Sequence, residues 1–258
     1  MNPASAQTPP SSFKDHFSSS AASYARHRPG YPAQLAAWLA GVAPSRGLAL
    51  DCGCGTGQLS TLLAQEFEQV VATDASAAQI EHAQAHARVR YAVAPAERSG
   101  LPGASADLVT VAQAAHWLDL PRFYGEVRRV LRPRGCLALI SYGVACLDGE
   151  PGALLRELHD EVLGPYWPPE RRLVVDGYRA LAFPFPELEA PRMELRARWS
   201  LDGVLGYVDT WSALRPALAR LGAAPLEDFR RGLAQAWGDP ARERDIAWPL
   251  SLRVGCMP

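Results

Sequence analysis

No apolar stretch in this 258-residue chain approaches the roughly 20 residues that crossing a bilayer needs. A membrane partner is therefore not expected. Charge of one sign is not in excess either: 26 Lys and Arg against 27 Asp and Glu leave a formal net charge of −1. That balance lacks the basic footprint of a nucleic-acid binder. Arg128, Arg129, Arg132 and Arg134 cluster, but at a helix end and the following turn, where cations suit the helix dipole. Cys-x-x-Cys spacing is missing, and zinc on Cys52 and Cys54 would need ligands from afar. His82 and His86 lack a third ligand nearby and read as a solvated helix face, so no metal is expected. An odd number of cysteines and no charged-then-apolar leader point to a reducing, cytoplasmic setting. With 48% hydrophobic residues the chain can bury a full core without disulfides or metals.

What is present alternates. Apolar runs at 48–52, 69–73, 89–93 and 106–111 read as strands, separated by helix patterns at 57–65 and 77–87. A helix at 32–39 precedes them, and another at 120–131 carries Pro121 in its first turn and Pro133 beyond its end. Strands at 136–141, 193–199 and 246–254 follow, with helices at 154–163, 202–214 and 226–237. This pattern predicts an α/β fold: a Rossmann-like, doubly wound, seven-stranded, mostly parallel sheet. The Pro- and aromatic-rich stretch after strand five reads as a helical cap inserted before strand six. The expected organisation is a disordered tail at 1–12 and one domain at 13–258. Within it lie an N-terminal lid (13–40), a cofactor-binding core (41–146), a substrate cap (147–190) and a C-terminal part (191–258).

The most informative stretch is 48–59, Leu-Ala-Leu-Asp-Cys-Gly-Cys-Gly-Thr-Gly-Gln-Leu. Gly53, Gly55 and Gly57 sit between a strand and a helix, where they permit positive φ and let a flat ligand lie against the main chain. Backbone N–H groups at the next helix start then face that ligand. A dinucleotide turn requires G-x-G-x-x-G, whereas position 58 here is Gln. About 20 residues on, Val70-Val71-Ala72-Thr73-Asp74 ends in a carboxylate placed to accept hydrogen bonds from both ribose hydroxyls. Asp74 could instead cap the next helix, a task Ser76 could also fill.

Asp51 with the three glycines resembles the D-x-G-x-G-x-G motif of class I S-adenosylmethionine (SAM) dependent methyltransferases, of the type 11 domain. In that family the last strand is antiparallel. The residues 131–135, Leu-Arg-Pro-Arg-Gly, resemble the family's L-x-P-G-G turn, with Arg134 in place of the first glycine. Residues 24–32, Ala115-His116-Trp117, the segment 163–167 and Tyr207-Val-Asp-Thr-Trp-Ser-Ala213 together resemble the trans-aconitate methyltransferase-like group. After Trp211 the chain departs from that group, with Leu214-Arg-Pro in place of a more polar continuation.

The resemblance implies SAM as methyl donor, S-adenosylhomocysteine (SAH) as product and a small-molecule acceptor. The implied cofactor contacts are Asp51, Gly53, Cys54, Gly55, Gly57, Asp74, Ala75, Ala96, Glu97 and Gln113, with Tyr24 and Arg28 closing from the lid. His116 and Trp117 would line the space above the methyl group. Tyr166, Trp167, Tyr207, Trp211 and Arg215 are expected to form the acceptor pocket, aromatics clamping a planar body and a cation pairing with an acid. A carboxylate acceptor, as in aconitate-like esters, needs no general base. A phenol, thiol or amine needs one, and His116 is the candidate. Two alternatives stay open: a SAM-binding regulator without turnover, and a nicotinamide-type oxidoreductase.

Overall fold

The computed structural model describes residues 29–258. Tyr24, Arg28 and the predicted tail therefore lie outside the described residues. The first described helix, α1 (Ala33–Val42), packs Leu35, Ala36, Leu39 and Ala40 into the core. Then β1 (Leu48–Cys52), α2 (Gln58–Glu66), β2 (Gln69–Asp74), α3 (Ala77–Glu81), β3 (Val89–Val93) and β4 (Ala106–Ala112) alternate as the hydrophobic pattern predicts. Helix α4 (Leu120–Val130) leads into β5 (Leu131–Tyr142). Parallel pairing gives the order β3-β2-β1-β4-β5, and β1, β4 and most of β5 are buried, as central strands covered on both faces must be.

The last strand, β8 (Arg244–Cys256), runs antiparallel to β5, as the family resemblance implies. Its residues 250–256 pair with β5. Residues 244–249 carry on past the end of β5 and pair with β7 (Glu194–Trp199). The short β6 (Cys146–Leu147) pairs with the same outer half of β8 and adds a strand that the sequence pattern did not indicate.

Between β6 and β7 lies the helical cap. It holds α5 (Gly149–Glu157), a π-turn (Leu158–Val162), a 3₁₀ turn (Gly164–Tyr166) and α6 (Arg171–Val175). After β7 come α7 (Leu201–Asp209), α8 (Leu214–Leu221) and α9 (Ala224–Trp237). Leu155, Leu158, Val204, Tyr207, Trp211, Leu233, Trp237 and Trp248 form one buried cluster joining cap helices to the outer half of β8. The cap is thus welded to the sheet through a shared apolar core.

Four expectations need correction. The 77–87 helix stops at Glu81, because the Gln84 N–H donates to the Thr56 carbonyl (3.0 Å) and draws the chain back over the glycine turn. His82 and His86 consequently do not share a helix face. The 202–214 helix ends at Asp209, where the Thr210 hydroxyl donates to the Tyr207 carbonyl (2.6 Å), and a separate helix begins at Leu214. The predicted 154–163 helix begins five residues earlier, at Gly149, and finishes as a π-turn at Leu158–Val162. Finally, Cys136 and Cys256, directly opposite on β5 and β8, are joined by a disulfide, which the reading of a reduced, disulfide-free chain did not foresee.

Candidate functional site

The glycine turn is built from beneath. Asp51 is buried, and its carboxylate accepts from the Ser60 hydroxyl (2.6 Å) and the Thr110 hydroxyl (2.7 Å). Strand β1 is thereby tied to helix α2 on one side and to β4 on the other. Burial raises the Asp51 pKa to about 6, against the lowering effect of the two hydroxyls. Asp51 thus faces the interior and fixes the turn from below.

Above it, Gly53, Gly55 and Gly57 all take positive φ (63°, 56° and 85°). A Cβ on Gly53 would come within 2.7 Å of the Ala114 Cβ, and the Tyr91 hydroxyl fills the space a Cβ on Gly57 would need. At Gly55 the nearest neighbour is Gln79 Oε1 at 3.7 Å, so this part of the turn is open. The Asp74 carboxylate accepts from the Gly55 N–H (2.9 Å) and the Ser76 N–H (2.8 Å), while the Ser76 hydroxyl caps α3 by accepting from the Gln79 N–H. Asp74 and the turn are therefore one hydrogen-bonded unit at the carboxyl ends of β1 and β2, where open parallel sheets bind ligands. Cys54 lies half-buried in that unit, its thiol pushed far up by burial, and Ala75 is exposed beside it.

Beyond β4 the chain passes through Gln113, which holds a left-handed backbone (φ 58°). Its N–H donates to the Ile140 carbonyl (2.9 Å) and its side-chain amide to the Tyr142 carbonyl (3.4 Å). Such a non-glycine conformation costs about 1–3 kcal/mol and persists only where surroundings enforce it. Here β5 enforces it, and the strand end is aimed into a cavity of about 90 Å³.

That cavity is lined by Gln113, His116, Trp117, Trp167, Tyr207 and Trp211 from among the predicted residues. Trp167 and Trp211 stand 5.6 Å apart, and Tyr207 meets Trp211 edge-on at 5.5 Å. The Trp248 indole donates to the Tyr207 hydroxyl (3.0 Å), fixing it from behind. Buried His159 backs the wall: its ring lies 4.7 Å from Trp167, whose indole donates to the His159 carbonyl.

Four predicted residues stand elsewhere. Arg215 is exposed on α8, outside the cavity, and Tyr166 packs against the cap cluster instead of lining it. Glu97 accepts from the Asp119 N–H (2.9 Å), a contact that holds the start of α4, and Ala96 is buried against the core. The cation that does line the cavity is Arg171, with its guanidinium 5.2 Å from the Trp167 ring centre. Arg171 was missed because the sequence reading sought a cation after Trp211. The available signal was an arginine four residues after Trp167, behind a helix-starting Pro168-Pro169 pair.

The methyltransferase domain family matches residues 50–139, which span β1 through most of β5. A Dictyostelium discoideum protein named as a methyltransferase is 34% identical over 251 residues, 94% of this chain and 95% of its own. A solved type II methyltransferase structure from Anaeromyxobacter dehalogenans is 51% identical, with a TM-score of 0.86 over 90% of this chain and 99% of its own. A malonyl-[acyl-carrier protein] O-methyltransferase of Hahella chejuensis is 43% identical over 95 residues, 34% of each chain. The chain belongs to the class I SAM-dependent methyltransferases. In this methyltransferase the turn fits the donor's requirements: an open backbone at Gly55, a carboxylate at position 74, and Gln113 at the junction with the aromatic cavity.

Proposed function

We propose that this methyltransferase methylates a small-molecule acid, on a carboxylate oxygen, in the chamber between Gln113 and the aromatic cap; aconitate-like acids are one such class. One observation carries the reading. Gly53 abuts Ala114, the neighbour of Gln113, so the cofactor turn and the chamber share a wall. When bound, SAM supplies a sulfonium-activated methyl group. The chain's own task is to align the acceptor, and alignment alone can contribute about 7–11 kcal/mol of barrier lowering. Trp167 and Trp211 offer flat faces for an unsaturated body, and Arg171 offers a cation for an acid. Asp74 would hold the ribose, Gly53, Gly55 and Gly57 the backbone side of the nucleoside, and Gln113 the amino-acid end.

Calorimetric titration with SAM, SAH and NAD, followed by SAH release with a panel of carboxylic acids, phenols and amines, tests this. Binding of SAM and SAH, with turnover confined to acids, is expected. Nicotinamide binding without SAM binding would overturn the assignment of the turn. SAM binding with turnover of phenols or amines alone would overturn the carboxylate acceptor.

A further inference from the structure

Tyr178 was singled out by no sequence pattern, yet it is the partner that decides what His116 can do. The Tyr178 side chain is completely buried, and its hydroxyl lies 2.9 Å from His116 Nδ1. Its backbone is held in the left-handed region (φ 60°) directly after Gly177 (φ 68°). The Tyr178 N–H donates to the carbonyl of Leu173 in α6, and its carbonyl accepts from Arg253 of β8 (2.6 Å). Arg253 in turn is paired with Glu187 and stacked on Phe183. A conformation with this intrinsic cost, enforced from two elements, marks a position where geometry matters.

Two protons are at issue, and the arrangement assigns both. Ala115 and His116 head the 3₁₀ turn 115–117, so their N–H groups have no partner inside it. Both amides stabilise charge on the Tyr178 oxygen, and among the described residues His116 Nδ1 is the acceptor within hydrogen-bond distance of the buried phenol, whose O–H would otherwise stay unsatisfied. The phenol proton is then left for His116 Nδ1, which must accept it. A neutral imidazole that accepts at Nδ1 carries its proton at Nε2. Nδ1 is turned to the buried phenol, so Nε2 is the nitrogen left to the cavity that His116 lines.

We propose that Tyr178 is a positioning residue that locks His116 in its Nε2–H form, making it a hydrogen-bond donor to a carboxylate acceptor and not a general base. This rests on the reading of the cavity as an acceptor chamber. Methylation of a carboxylate releases no proton, so the site needs a donor that holds one oxygen while the other attacks the methyl carbon. Arg171 lines the same cavity and supplies the countercharge. Arg171 and burial together keep His116 neutral, lowering its pKa to about 4 with burial the larger cause and Glu170 opposing. Deprotonation of a phenol or amine at neutral pH is not work for such a group.

The test uses the full chain labelled with ¹⁵N-histidine and saturated with SAH. Long-range ¹H–¹⁵N correlation reads the His116 tautomer directly, assigned with His116→Gln. The Nε2–H form is expected at pH 7 in the parent, collapsing to a tautomer mixture in Tyr178→Phe. An Nδ1–H form, or titration of His116 between pH 6 and 8, would overturn the proposal, and the parent spectrum alone decides this if the variant fails to fold. Binding of trans-cinnamate and its neutral amide to the SAH complex is the second readout. A preference of at least tenfold for the acid, narrowed severalfold in His116→Phe, is expected, and a preference unchanged in that variant overturns the donor role. Equal affinity, or no binding of the acid, overturns the carboxylate assignment. Failure of SAH itself to bind would instead sink the methyltransferase reading of the turn while leaving the tautomer result standing.

Discussion

Replacing Asp51 by asparagine separates the brace under the glycine turn from any contact with ligand. The carboxyl is wholly buried, and its pKa rises from the ordinary 3.8 to about 6. The folded chain therefore holds this proton more tightly than the unfolded chain does. The group's contribution to stability is greatest below 3.8, falls as pH rises through about 6, and is level thereafter. The linkage integral puts the cost of ionisation at about 1 kcal/mol at pH 4.5 and about 3 kcal/mol at pH 8. Asparagine has the shape of the protonated acid, and the Ser60 and Thr110 hydroxyls can each turn to donate or accept. Asp51→Asn should consequently match the parent in acid and gain on it by about 2 kcal/mol between pH 4.5 and pH 8. Urea unfolding followed by tryptophan fluorescence at both pH values reads the gap. A variant less stable than the parent at pH 8, or a gap independent of pH, would refute the account of Asp51 as a buried charge ionised at a cost. SAH titration on the same samples is expected to show less than a tenfold loss if Asp51 acts only from beneath.

Three further outcomes are expected. Arg134 occupies a left-handed position (φ 65°) in the turn before the core of β5, so Arg134→Gly should raise stability by about 1 kcal/mol in the same unfolding assay. Glu126 accepts from the Ser99 N–H (2.8 Å), the Ser99 hydroxyl (2.6 Å) and the Arg129 guanidinium, and hydrogen bonding to Arg129 is the main reason its pKa falls to about 2. Glu126→Gln should cost about 1–3 kcal/mol at pH 7, a difference that shrinks as pH falls below 4.5 toward 2, where the parent loses the same charge. Unfolded without reductant, the chain should yield three titratable thiols, those of Cys52, Cys54 and Cys146. Five thiols under those conditions would contradict the Cys136–Cys256 bond.

The sheet was legible because the buried parallel strands β1, β2 and β4 are mainly apolar, and all four strands of the first half, including the edge strand β3 with Arg90 in its middle, start where the sequence pattern places them. The glycine turn was legible because only glycine meets its φ demands cheaply. What the pattern could not reveal depended on tertiary hydrogen bonds. Helix α3 is cut short by a bond from Gln84 to Thr56, a partner 28 positions back, and no local propensity encodes it. Asp51 carries the right spacing for a ligand contact, but its direction is set by Ser60 and Thr110. Arg215 and Arg171 are equivalent to a sequence reader. Their exposure and their distance from the aromatic wall follow from how the cap folds back.

The thirteen-residue β8 serves two neighbours in succession, β5 along one half and β7 along the other. The cavity's roof and the central parallel sheet are consequently hung from one ribbon. Moving the roof onto a different scaffold, to alter which acceptors are taken, would have to carry that final ribbon along. Changes of selectivity within this lineage are thus easier to reach through side chains on the roof than by exchanging the roof itself.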